Sequence, residues 1–274
     1  MNTEYGGLFD LTGRVAVITG GLGILGRHFC RALAEFGANV VIVDLDGEGT
    51  TTLARELTDA TGNRCLGIGC DVADEDSVTA MVREAVDTFG HIDVLHNNAA
   101  TKSADPGAFF APAEDYDLGT WREVMAVNLD GLFLVARTVG RRMIDQGGGG
   151  SIIQTSSIYG LLGPDNRIYE GSQYMGYRIN TPPVYAASKS GVVGLTRYLA
   201  TQWAPHGIRV NTLVPGGVQS GQNETFVRNY SSRVPMQRMG KPGDLVGAVL
   251  YLASDASGYV TGQSIIVDGG WSAW

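Results

Sequence analysis

Residues 14–44 constrain the fold of this chain more than any other stretch. Arg14-Val15-Ala16-Val17-Ile18-Thr19 is a short, β-branched apolar run that reads as a buried strand. Gly20, Gly21, Gly23 and Gly26 follow it. Leu25, Phe29, Leu33 and Phe36 then recur at helical spacing, and Gly37 stops the helix. A second strand over residues 39–43 delivers Asp44, 18 positions beyond Gly26. Strand, glycine turn, helix, strand and acid in this order form a dinucleotide-binding pattern. Glycine permits a tight turn and lets backbone N–H groups approach a pyrophosphate, at which the opening helix points its positive end. Gly20, Gly21, Gly23, Leu25 and Gly26 are therefore candidate cofactor contacts. Asp44 is the candidate partner of the adenosine ribose.

The same alternation continues to the C-terminus. Further strands are expected near residues 64–70, 92–96, 151–155, 208–214 and 264–267. Helical patterns lie near residues 47–61, 74–89, 118–146, 184–204 and 242–254. This order predicts an α/β protein with a parallel sheet covered by helices on both faces. With 274 residues, 44% of them apolar, the chain can bury one substantial core. No linker or repeat divides it, so one domain spanning residues 1–274 is expected. Residues 147–150 are a glycine turn without expected chemistry.

Net charge is −8. That disfavours nucleic acid, which requires a basic patch, and an anionic membrane surface. No apolar run reaches the length of a membrane span. Residues 1–5 lack the basic and apolar regions of a signal peptide, and the expected location is the cytoplasm. Cys30, Cys65 and Cys70 form no paired motif and read as reduced core residues, so neither disulfide nor metal site is expected. His96 reads as a packed strand residue. Trp271 and Trp274 read as packing at a subunit contact.

Tyr185 and Lys189 stand four apart in Tyr185-Ala186-Ala187-Ser188-Lys189. On a helix that spacing puts both on one face. A cation beside a phenol favours the phenolate and prepares the tyrosine for proton transfer to an alcohol or carbonyl oxygen. Taken alone, the pair better describes a solvated helix face, and the rest of the chain changes that weighting.

Taken together, Thr19 to Gly26, Asp71-Val72, Asn97-Asn98-Ala99-Ala100, Val127-Asn128-Leu129, Ser156-Ser157, Tyr185 with Lys189, Pro215-Gly216 and Val267-Asp268-Gly269-Gly270 resemble the short-chain dehydrogenase/reductase family over nearly the whole chain. The resemblance implies a Rossmann-like doubly wound fold with seven parallel strands, a nicotinamide cofactor and a homotetramer or dimer. By position, Tyr185 becomes the general acid/base. Lys189 lowers its pKa and binds the nicotinamide ribose. Ser157 hydrogen-bonds the substrate oxygen, and Asn128 holds a water that relays protons from Lys189. Asp71 binds the adenine amine, with Val72, Asn97, Ala99, Pro215, Gly216 and Val218 also against the cofactor. Ser220 falls where the family often places a threonine touching the carboxamide. Bland readings stand beside these: Ser157 as a turn cap and Asp71 as a helix cap. Asn128 is a poor helix former, so its place in a helical pattern needs a reason, which the relay supplies.

Two departures from the family pattern stand out. Ile24 occupies a usual glycine position, a spacing closer to the longer sugar-nucleotide epimerase and dehydratase branch. The other motifs and the chain length fit the compact branch. Ser157 and Tyr185 are 28 apart, about twice the family's usual gap, which marks an insertion near residues 164–183. It carries Arg167, Tyr169, Tyr174, Tyr177 and Arg178. Guanidinium forks and aromatic faces suit a sugar, carboxylate or phosphate, so Arg167, Tyr169 and Arg178 are candidate substrate contacts. A surface loop or oligomer contact fits the insertion equally. Arg167 to Gly171 and the ending Gly269 to Trp274 also resemble a bacterial subgroup linked to flagellin modification and acidic-sugar pathways.

The expected activity is NAD-dependent interconversion of a secondary alcohol and a ketone on a small sugar-like or acidic substrate. NAD is expected over NADP because Asp44 repels a 2′-phosphate. Three alternatives are an epimerase or dehydratase using bound NAD transiently, a non-enzymatic NAD-binding regulator, and an acyl-carrier-protein reductase. The second leaves the relay residues without a purpose. The third is disfavoured because an acidic chain docks an acidic carrier poorly.

Overall fold

The computed structural model describes Tyr5 and residues 7–274. Seven parallel strands form one sheet: β1 Val15–Thr19, β2 Asn39–Asp44, β3 Cys65–Gly69, β4 Val94–Asn97, β5 Gly150–Thr155, β8 Ile208–Pro215 and β9 Ser264–Val267. Two short antiparallel strands, β6 Gln173–Tyr174 and β7 Tyr177–Arg178, stand apart as a hairpin. The large sheet runs β3-β2-β1-β4-β5-β8-β9. Strand order therefore reverses between β1 and β4, and a crevice opens there at the carboxyl ends of the strands.

Alternation along the strands explains the two helix layers. Ala16, Ile18, Val40 and Ile42 share one core with Phe29 and Leu33 of α1 (Ile24–Glu35), Leu53 and Leu57 of α2 (Gly47–Thr61), and Val249 and Leu252 of α9 (Val246–Ala253). Val15, Val17, Val41 and Val43 face the opposite way. They pack on Val78 and Met81 of α3 (Glu75–Phe89), Val135 and Val139 of α6 (Leu132–Gln146), and Leu199 of α7 (Pro183–Trp203). Every residue of β1 is buried, as expected for a parallel strand covered on both sides.

The helical pattern over residues 118–146 is one element with a defect. It runs as α5 (Leu118–Met125), a wide π-type turn over Ala126–Gly131, and α6. Asn128 lies in that turn and is fully buried. Trp271 packs inside its own chain, stacked on Tyr230 at 4.6 Å between centroids, and only Trp274 stands exposed. Asp74, not Asp71, caps α3: its side chain accepts from the amides of Asp76 and Ser77. Cys30, Cys65 and Cys70 are free thiols.

Candidate active site

A cavity of about 630 Å³ occupies the crevice at the strand-order reversal. Gly20, Gly23, Leu25, Gly26, Asp44, Asp71, Val72, Ala99, Val218 and Ser220 line it. So do Leu22, Ile24, Leu45, Asn98, Thr101 and Val127, none of which is among the predicted contacts. Gly23 caps α1 without a side-chain hydrogen bond, and no acidic residue sits in the first turn. The amide of Arg27 reaches the carbonyl of Gly23, which leaves the amides of Ile24, Leu25 and Gly26 without intrahelical acceptors. A Cβ on Gly26 would collide with the Gly20 carbonyl, so the turn closes this tightly only with glycine. Open amides at a positive helix end, without competing carboxylates, fit a pyrophosphate. Asp44 ends β2 with Oδ2 accepting from the Leu22 amide (3.0 Å) and Oδ1 from the Leu45 amide (2.9 Å). One carboxylate thus ties the glycine turn to the strand tip while lining the cavity.

Some predicted contacts support the cleft from behind. Gly21 faces Ile42 rather than the opening. Asn97 is buried, donating from Nδ2 to the Leu132 carbonyl (2.7 Å) and accepting from the Thr19 hydroxyl (3.2 Å). That hydroxyl also accepts from the amides of Asn98 and Ala99, holding the cleft wall after β4. Pro215 ends β8. Gly216 lines an adjoining cavity of about 230 Å³ and packs on Asp268.

Beside the cleft lies a second pocket of about 270 Å³, lined by Thr101, Lys102, Phe109, Tyr159, Tyr169, Asn180, Thr181, Pro182 and Tyr185. Thr101 borders both cavities. Tyr185 enters from the first turn of α7, which begins at Pro183 where a missing N–H costs nothing. Ser157 follows β5, is buried, and accepts from the Tyr159 amide at 3.2 Å. The cap expected of it is present, and its hydroxyl is close enough to the Tyr185 phenol to influence its pKa.

Lys189, one helical turn beyond Tyr185, is buried and donates from Nζ to the Thr155 carbonyl at 3.0 Å. Burial lowers its pKa to about 8, so it remains protonated at neutral pH. Nζ stands 5.9 Å from the Tyr185 ring centroid. Burial raises the Tyr185 pKa and the neighbouring Ser157 hydroxyl lowers it, with burial the larger influence. The lowering expected from Lys189 is therefore not the dominant effect, because the ammonium faces a backbone carbonyl. The Ser156 hydroxyl donates to the Lys189 carbonyl (2.7 Å), locking the end of β5 to α7. Gly160 sits against both atoms, where a Cβ would clash.

Asn128 uses both ends of its amide on one residue: Oδ1 accepts from the Thr101 amide (2.7 Å) and Nδ2 donates to the Thr101 carbonyl (3.2 Å). It clamps the segment shared by the two cavities to the π turn. His96 is buried below, with Nε2 2.9 Å from the Thr155 hydroxyl.

The insertion folds over the second pocket. Tyr169 lines it, its hydroxyl 2.7 Å from that of Thr181 and its ring 5.5 Å from Phe226 of α8 (Glu224–Ser231). The β6–β7 hairpin turns at Met175 and Gly176, both with positive φ, the twist that suits a two-residue hairpin. It packs beside α4 (Pro106–Phe109), where Tyr177 meets Gly107. The arginines behave differently from expectation. Arg167 pairs with Asp165 at 2.7 Å and faces a separate cavity with Arg233, Trp271 and Trp274. Arg178 is exposed on β7. Neither lines the pocket at Tyr185, because a carboxylate two residues away captures the first and strand alternation turns the second outward.

Comparisons with known proteins agree with this geometry. Residues 23–272 match the family profile described as enoyl-(acyl carrier protein) reductase. The chain is 35% identical to 2-dehydro-3-deoxy-D-gluconate 5-dehydrogenase of Escherichia coli (strain K12), over 97% of this chain and 98% of the relative. It is also 35% identical to galactitol 2-dehydrogenase (L-tagatose-forming) of Cereibacter sphaeroides, over 99% and 100%. The crystal structure of a gluconate 5-dehydrogenase from Burkholderia cenocepacia J2315, in complex with NADP and tartrate, superposes with a TM-score of 0.86 at 35% identity, covering 97% of this chain and 98% of that one. On the profile match, these identities and the shared seven-stranded fold, the chain belongs to the short-chain dehydrogenase/reductase family.

Proposed function

We propose that the protein is an NAD-dependent oxidoreductase that interconverts a secondary alcohol and a ketone on a small, sugar-like substrate. The observation that carries this reading is the meeting of two cavities at Thr101, one framed by the glycine turn and the other holding Tyr185. The second is small, near the lower end of the roughly 300–1,000 Å³ usual for ligand sites. The relatives named above act on polyols and sugar acids, which supports the substrate class.

In this reading the open amides of residues 24–26 hold the pyrophosphate and Asp44 accepts from the adenosine ribose hydroxyls. Lys189 binds the nicotinamide ribose and keeps a positive charge near the phenol. The bound nicotinamide supplies or accepts the hydride. Ser157 hydrogen-bonds the substrate oxygen while Tyr185 gives or takes its proton. Asn128 serves the relay through its backbone, since its amide is committed to Thr101. The protein works as a cytoplasmic homo-oligomer. Incubating it with NAD and a panel of polyols, sugars and hydroxy acids should produce NADH absorbance with at least one member. Retained NAD with no net NADH would instead favour the epimerase or dehydratase reading.

NAD preference rests on Asp44. A 2′-phosphate would meet its carboxylate, and no Arg or Lys within residues 20–26 offsets the repulsion. Titrations should show tighter binding of NAD than NADP, with Asp44→Ala narrowing the gap. A wild type that prefers NADP would refute the assignment, and the NADP-bound neighbour makes the measurement pointed.

A further inference from the structure

We infer that Lys102 recognises a substrate carboxylate, and that the pocket at Tyr185 takes hydroxy acids in preference to the corresponding neutral polyols. Lys102 is the one formally charged side chain among those lining the pocket. It stands there in a chain of net charge −8. The insertion holds it in place: Nζ donates to the Tyr174 hydroxyl at 2.8 Å and lies 4.3 Å from the Tyr174 ring centroid. Tyr174 is itself set edge-on to Phe110 at 6.1 Å. An ammonium has three donors. A phenol occupies one, and no carboxylate is paired with Lys102 among the ion pairs of the described residues.

The remaining donors can discriminate by charge. A polyol hydroxyl gives the ammonium little that water does not. A carboxylate adds the attraction of opposite charges to the hydrogen bond that the ammonium can make with any oxygen. Lys102, although exposed, lines the pocket, whereas Arg167 and Arg178 do not, one bound to Asp165 and the other on the far strand of the hairpin. The insertion thus contributes to anion recognition through Tyr174, which positions a lysine from the segment after β4. This inference rests on the alcohol–ketone reading for the identity of the pocket.

The test uses binding, so that it is separable from turnover. Gluconate and sorbitol share a carbon skeleton and differ at one end by carboxylate against hydroxymethyl. Each is titrated calorimetrically into the NADH-loaded protein, where an alcohol cannot react. Gluconate should bind the wild type at least about tenfold more tightly than sorbitol, an increment of about 1.4 kcal/mol. Lys102→Met should bring the ratio close to one by weakening gluconate alone. Lys102→Arg should restore most of it, and Tyr174→Phe should reduce it partly. A wild type that holds gluconate no tighter than sorbitol, undetectable binding of both included, overturns the inference. So does an unchanged ratio in Lys102→Met. Failure of the alcohol–ketone reading would show separately, as absence of NADH formation from every alcohol in the panel.

Discussion

Tyr185→Phe is expected to reduce turnover by about 10²–10⁴-fold while NAD still binds. The substitution keeps the ring that packs between Ser157 and the pocket wall and removes only the phenolic hydroxyl. The glycine turn and Asp44 lie in the adjoining cavity and are untouched. Lys189→Ala should behave differently, lowering both turnover and cofactor affinity. In the proposed role its ammonium serves the ribose as well as the phenol's surroundings, and its Nζ braces the carbonyl of Thr155. Steady-state kinetics on a confirmed substrate, with NAD titrations of each variant, separate the two cases. Near-normal activity in Tyr185→Phe would remove that residue from proton transfer.

Acidification should destabilise the fold through His96, by about 2–3 kcal/mol between about pH 7 and pH 4.5. The imidazole is fully buried, 4.6 Å from Phe29, with Nδ1 unpartnered. Burial pushes its pKa down to about 3. The unfolded chain takes up the proton near pH 6.5, whereas the folded one resists it. Stability is therefore complete above about pH 6.5 and declines by about 1.4 kcal/mol per unit as pH falls toward the folded value. Lys189 does not contribute in this window. Its folded pKa of about 8 lies below the ordinary 10.5, so its effect is present above the latter and is lost as pH falls to the former. Urea unfolding of wild type and His96→Met at both pH values isolates the term, since both chains share their carboxylates. Equal losses in the two would refute it.

The scaffold was legible because its signals are local and repeated. Each of the seven parallel strands lies within or close to a predicted segment, since buried parallel strands are unbroken apolar runs. The long helices were legible from their period. What escaped was short or depended on distant partners. The π turn at Asn128 interrupts an otherwise uniform helical pattern, and the residue that its side chain clamps, Thr101, lies 27 residues away. Segment Pro106–Phe109, α8 and the hairpin are too brief for periodicity to declare. In the insertion, residue type suggested anion binding at Arg167 and Arg178, but tertiary packing directs one guanidinium to Asp165 and leaves the other exposed. Lys102 carried one weak sign, a cation just after Asn97-Asn98-Ala99-Ala100. Its place in the pocket with Tyr185, and its bond to Tyr174 of the hairpin, join segments far apart in the chain.

The lock between β5 and α7 gives the segment joining them unusual evolutionary freedom. Ser156 and Lys189 hold the strand end and the helix together through their own hydrogen bonds, and Lys189 reaches Thr155 as well. None of these contacts uses residues 164–183. The spacing of Ser157 and Tyr185 in space is thereby independent of how many residues separate them along the chain. Closing a longer loop costs little, about 0.6 kcal/mol for each doubling of length. The segment is anchored instead to α8 and its flank, where Asn223 and Asn229 hold its backbone and Arg233 pairs with Asp165. Changes in residues 164–183 and changes around Ser157 and Tyr185 can then accumulate at different rates within one scaffold.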